Sequence, residues 1–151
     1  MLLTGTFVRS LDDKLRVAIP KRLRDDLQAA GEAELYLVPG TDRSLALYPE
    51  PALERLAARL SEASPAQQDV RAFNRLFYAQ AQRVEVDVQG RIRLPPELAK
   101  LAGLSKEVVL LGVNDHVEIW ERPRWDDYLA TRAAHYDEIA ERALGQQSRE
   151  T

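Results

Sequence analysis

Apolar and polar positions alternate near the start of the chain. Phe7, Arg9 and Leu11 fall on one side, which predicts a short strand, and a polar connection follows from Asp12 to Leu15. Arg16-Val17-Ala18-Ile19 predicts a second strand. Pro20 then stands where proline favours the first turn of a helix, and Gly31 where a left-handed cap would stop it. Leu35–Val38 and Leu45–Tyr48, around Gly40–Arg43, predict a β-hairpin. The period then turns helical, with Leu53, Leu56, Ala57 and Leu60, and, after Ser64-Pro65, Val70, Phe73 and Phe77.

The same order then returns. Val84, Val86 and Val88 alternate, Asp87–Gly90 predicts a turn, and Arg91-Ile92-Arg93-Leu94 a strand. Pro95 and Gly103 bracket a helix, and Val108–Leu111 and Val117–Trp120 form a hairpin around Gly112–Asp115. At an offset of 75, Asp12 falls on Asp87, Arg16 on Arg91, Pro20 on Pro95 and Leu23 on Leu98. At an offset of 72, Gly31 meets Gly103, Gly40 meets Gly112, Tyr48 meets Trp120 and Pro51 meets Pro123. The chain therefore holds two copies of one unit, at residues 5–50 and 81–123, with connecting helices over 51–80. Trp125, Tyr128, Leu129, Tyr136, Ile139, Ala140 and Ala143 predict a C-terminal helix over 124–144, with a flexible polar tail at 145–151.

Composition narrows the chemistry. The chain has 151 residues, 45% hydrophobic, and no cysteine, which excludes disulfides, thiolate metal sites and cysteine nucleophiles. Its two histidines, His116 and His135, are too few for a histidine-built metal site, so neither metal nor cofactor is expected. No apolar run approaches the ~20 residues of a membrane span, and the N-terminus lacks the pattern of a signal peptide, so a cytoplasmic protein is expected. Asp12-Asp13 and Asp126-Asp127 are adjacent pairs that do not share a face, and the repeat mate of His116 is Ser44. No catalytic motif occurs, and no enzyme is expected.

Net charge is −3, yet the charge is unevenly placed. Residues 9–24 carry +4 and residues 83–106 carry +2, whereas residues 121–151 carry −2. Phosphate binding depends on the local patch and not on the total. A solvated charged face is the plain alternative, but a fold does not require arginine after a hairpin turn twice.

These residues resemble the MraZ family of bacterial transcription regulators, built from two SpoVT-AbrB repeats. The resemblance covers about residues 1–143 and rests on a D-x-x-x-R motif in each copy, Asp12-Asp13-Lys14-Leu15-Arg16 and Asp87-Val88-Gln89-Gly90-Arg91. Gly5, Ser10-Leu11, Ile92-Arg93-Leu94-Pro95, Ala102-Gly103-Leu104 and Val117-Glu118-Ile119-Trp120 also match. The resemblance implies an α+β fold in which two SpoVT-AbrB units interleave as a swapped-hairpin β-barrel, one pseudo-two-fold domain with added helices. It implies a ring-shaped homo-oligomer, octamer to dodecamer, that is nucleoid-associated. The ring would bind double-stranded DNA at repeated boxes upstream of a cell-division and cell-wall gene cluster that includes its own gene. By the same resemblance Arg16 and Arg91 face DNA, with Lys14, Arg9 and Arg93 beside them. Asp12, Asp87 and Gly90 then shape the turns. Leu15 departs from the pattern, which has glycine there. Leucine at positive φ is strained, so a changed turn or an exposed apolar tip is expected.

Two other readings stay open: an antitoxin-like DNA-binding module that also holds a toxin, and a structural adaptor whose basic hairpins meet an acidic protein.

Overall fold

The computed structural model describes residues 1–29 and 34–150, the last five by backbone alone. Gly31, the expected cap of the first helix, lies outside the described residues. The chain divides into two units, Met1–Glu121 and Arg122–Thr151.

In the first unit the strands are β1 (Thr6–Ser10), β2 (Arg16–Ala18), β3 (Leu35–Pro39), β4 (Leu45–Pro49), β5 (Gln82–Val84), β6 (Arg91–Arg93), β7 (Glu107–Val113) and β8 (His116–Glu121). The helices are α1 (Lys21–Gln28), α2 (Glu50–Leu60), α3 (Gln68–Gln80) and α4 (Pro96–Leu101). The architecture is α+β. Pro20 and Pro95 are the residues just before α1 and α4, where a missing N–H costs nothing. Gly103, at φ 64, ends α4, with Leu104 N–H donating to the Ala99 carbonyl at 3.0 Å.

Six antiparallel strands form one sheet in the order β1-β7-β8-β4-β3-β5, and β2 and β6 pair separately. The two copies exchange strands. β1, from the first, adds to β7 of the second, and β5, from the second, adds to β3 of the first. β2 and β6 likewise come from different copies. The ends of that ribbon match: Leu94 N–H donates to the Leu15 carbonyl at 2.8 Å, and Ile19 N–H to the Gly90 carbonyl at 2.9 Å.

Strand alternation sends Leu35, Leu37, Leu45, Leu47, Val108, Leu110, Val117 and Ile119 to one face of the sheet. These join Val17, Leu23, Ile92 and Leu98 in the main core. Each such fully buried aliphatic side chain contributes on the order of 2 kcal/mol relative to an exposed one. On the opposite face Val38, Ala46 and Tyr48 pack with Ala52 and Phe77 of α2 and α3.

Some sequence expectations change. The strand read through Val84, Val86 and Val88 stops at Val84, and Val88 sits fully exposed at a turn, because the Asp87 turn takes the backbone out of the sheet. β7 runs on through Gly112 to Val113, leaving Asn114 at φ 64 in the connection, a conformation asparagine tolerates. Leu15 keeps the left-handed turn, at φ 60 against φ 79 for Gly90, and is half-buried against the main core instead of forming an exposed tip.

In the second unit the expected single helix over 124–144 is two, α5 (Arg122–Ala133) and α6 (Tyr136–Glu150), joined at Ala134-His135. Asp137 and Glu138 in the first turn of α6 favour a new helix start there. α6 continues through residues 145–150, expected as tail. Among the described residues no helix is long and apolar enough to cross a membrane, and no cluster of ligating side chains could hold a metal.

Candidate nucleic-acid interface

The β2–β6 ribbon pairs Arg16 with Arg93, Val17 with Ile92, and Ala18 with Arg91. Side chains alternate across a strand, so the central Val17 and Ile92, both fully buried, anchor the inner face. Arg16, Ala18, Arg91 and Arg93 therefore share the outer face. Three arginines from two distant parts of the sequence meet on four positions.

Each D-x-x-x-R motif closes on itself. Asp12 Oδ1 accepts the backbone N–H of Lys14 at 3.0 Å and of Arg16 at 2.8 Å, while Asp12 Oδ2 accepts Arg16 Nε at 2.7 Å. Asp87 repeats this, with Gln89 and Arg91 N–H at 2.9 Å and Arg91 Nε at 3.1 Å. The Arg16 N–H bond chiefly holds the Asp12 carboxyl below the ordinary aspartate range, and that of Arg91 does the same for Asp87; burial opposes both shifts. The motif's spacing follows from this geometry: the aspartate reaches the N–H groups two and four residues on, and also the side chain of the arginine four residues on. Only Nε of each arginine is engaged among the described residues. The terminal Nη pair of each makes no hydrogen bond within the described residues.

The remaining cations differ in their surroundings. Lys14 is exposed at the tip of the first turn. Arg93 is exposed and pairs with no carboxylate among the described residues. Arg9 lies on β1 instead of the ribbon, its guanidinium 5.8 Å from the Phe7 ring centroid and bonded to the Val8 carbonyl. Three cations of the first basic run are used locally. Lys21 pairs with Asp25, Arg22 donates to Thr4, and Arg24 Nε donates to the Ile19 carbonyl at 2.9 Å. Arg24 also lies over the second turn: a Cβ at Gly90 would come within 2.7 Å of its guanidinium carbon. Its repeat mate is Ala99, in the core cluster against which Leu15 packs. The two turns thus share a left-handed backbone but are filled differently: Leu15 packs against the core, whereas Arg24 covers Gly90.

The other titratable cluster joins the two copies, with Tyr48 from the first and Asp115, His116 and Glu118 from the second. His116 stacks on Tyr48 at 4.7 Å, with Nδ1 2.8 Å from Asp115 and Nε2 3.2 Å from Glu118, whose other oxygen accepts Trp120 Nε1. Burial pulls the His116 pKa down, but the bonds to Glu118 and Asp115 outweigh it and leave the value above 6.5. Burial, aided by the two carboxylates, pushes Tyr48 up to about 12. This cluster ties the second hairpin to β4. His135 is largely exposed, 3.4 Å from Glu138.

Comparison with known proteins agrees with the internal repeat. The family model described as "MraZ protein, putative antitoxin-like" matches twice, at residues 2–76 and 77–147. A protein of Thermomicrobium roseum named transcriptional regulator MraZ is 43% identical over 138 residues, 91% of this chain and 94% of that protein. One of the same name from Mycobacterium avium is 40% identical over 141 residues, 93% of this chain and 96% of that protein. Another, from Finegoldia magna, is 34% identical over 135 residues, 89% and 92% of the two chains. This chain belongs to the MraZ family, with two tandem copies of the family unit.

Proposed function

We propose that this protein is a DNA-binding transcriptional regulator and not an enzyme. The observation that carries the reading is the outer face of the β2–β6 ribbon, where Arg16, Arg91 and Arg93 stand together. A two-stranded ribbon fits the major groove, whose width is about 12 Å, and arginine pairs bidentately with guanine there. Asp12 and Asp87 hold each arginine by Nε, so little freedom is lost when the Nη pair meets a base. Lys14 at the turn tip supplies a phosphate contact, and Arg9 a peripheral one.

Family membership and the strand exchange between copies support a more specific picture. The two copies, residues 5–50 and 81–123, close as a swapped-hairpin barrel, with the segments 51–80 and 124–144 added to it. A ring of copies, octamer to dodecamer, holds repeated boxes upstream of a cell-division and cell-wall gene cluster through effective concentration. The protein works in the cytoplasm, on the nucleoid. The test is footprinting on the DNA upstream of its own gene, with light scattering alongside. Regularly spaced protection and a particle well above a dimer of 17.1 kDa chains are expected. No protection in low salt, or a stable monomer, overturns the reading.

The family description and the exposed Tyr136 and Leu144 on α6 favour one second reading, a toxin-binding role for that helix. A toxin that co-purifies with the full chain and is released by Tyr136→Ser would support it.

A further inference from the structure

The antiparallel register places a local two-fold through the Val17–Ile92 pair. That operation exchanges Arg16 with Arg91 but sets Arg93 against Ala18. One half of the outer face therefore carries two opposed arginines, Arg16 and Arg93, and the other carries Arg91 facing Ala18. Like charges directly across an antiparallel pair repel. Arg16 is offset by Asp12, whereas Arg93 has no carboxylate partner among the described residues, although Glu85 and Glu97 line the cleft beside it. Arg93 therefore makes no ion pair within the described residues, and an electronegative ligand over that half would complement both arginines.

We propose that Arg93, whose two-fold mate is Ala18, makes this interface directional, so that it reads an asymmetric duplex element in one orientation. This rests on the DNA-binding reading above. The duplex backbone is itself two-fold symmetric, so an extra phosphate contact would serve both orientations equally. Only a base contact discriminates. Arg93 stands one residue from the central pair, as Arg16 does, so a ribbon seated in the major groove would bring both toward base edges and leave the turn tips nearer the backbone. The Arg16–Arg93 half faces the side of the element richer in acceptor edges, such as guanine O6 and N7. The ratio of the two orientations then equals the affinity that Arg93 adds, about ten-fold for one good base contact.

The chain has no cysteine, so Val88→Cys at the exposed second turn tip gives a single attachment point for an iron-chelate cleavage reagent. The tagged full chain is bound to a short duplex carrying one protected box from upstream of its own gene. Cleavage is expected on one side of the box only. With Arg93→Ala it should appear on both sides, with affinity reduced about ten-fold. With Ala18→Arg plus Arg93→Ala it should move to the opposite side. Should that double variant not fold, Arg93→Ala alone decides. Two-sided cleavage by the tagged protein without further change, or one-sided cleavage surviving Arg93→Ala, overturns the inference. Failure of the unmodified protein to protect any box would sink the DNA-binding reading itself.

Discussion

Replacing Gly90 with alanine tests the account of the two turns. Gly90 sits at φ 79, where an L side chain costs about 1–2 kcal/mol. The added Cβ would meet the Arg24 guanidinium carbon at 2.7 Å and its Nε at 2.9 Å, so Arg24 must move. That loosens its bond to the Ile19 carbonyl, a contribution of about 1 kcal/mol. Alanine recovers ~0.4–1 kcal/mol by restricting the unfolded chain. The net loss should be about 1–2 kcal/mol. Arg24→Ala costs the bond but removes the obstacle, so the two changes should couple, with the double variant about 1 kcal/mol more stable than additivity predicts. Urea unfolding of the four proteins at one protein concentration measures this. A neutral Gly90→Ala, or strict additivity, would refute the reasoning. The first turn supplies the contrast. Leu15→Gly relieves ~1 kcal/mol of backbone strain but gives up about as much burial and adds glycine's entropic cost of ~0.5–1 kcal/mol, so it should be mildly destabilising.

Other outcomes follow from the same geometry. Asp12 and Asp87 are depressed in the folded state, so their contribution is present above the ordinary value of 3.8 and is lost as pH falls through their lowered values. Asp87→Asn should therefore flatten the acid limb of a stability profile followed by circular dichroism; an unchanged limb contradicts the bracing geometry. His116 is raised in the folded state, so its contribution is complete below 6.5 and fades as pH rises through its raised value. In His116→Asn the loss of stability above pH 6.5 should disappear, and its persistence would place that titration elsewhere. Arg93→Ala should leave the melting temperature unchanged or slightly higher, because it removes a like-charge pair; a clear fall would show that Arg93 is structural.

The repeat, the two turns and most strands are legible in the sequence because they are local: a period of two, a proline, an aspartate four residues before an arginine. Strand partners are not. Nothing between Thr6 and Pro49 shows that β1 leaves its own hairpin for β7, since period fixes which face is buried and not which edge is joined. The ribbon face was likewise only half visible. Arg16 and Arg91 stand out by motif, but the opposition of Arg16 to Arg93 exists only once β2 meets β6. Arg24 counts as one more surface cation in a charge sum, yet it is spent on the Ile19 carbonyl. The available signal was its mismatch with its repeat mate Ala99, the counterpart of Leu15 against Gly90. Val88 follows the apolar alternation of its neighbours and is nonetheless the exposed tip of the second turn.

DNA binding by this protein is proposed to run through the arginines of the β2–β6 ribbon. The most direct measurement is a footprint titration on the DNA upstream of the protein's own gene, comparing the unmodified chain with Arg16→Ala plus Arg91→Ala. The double variant, with unchanged circular dichroism and particle mass, should lose the protected boxes at concentrations that saturate the unmodified protein. Protection at the same boxes with the same affinity would contradict this role for the arginines.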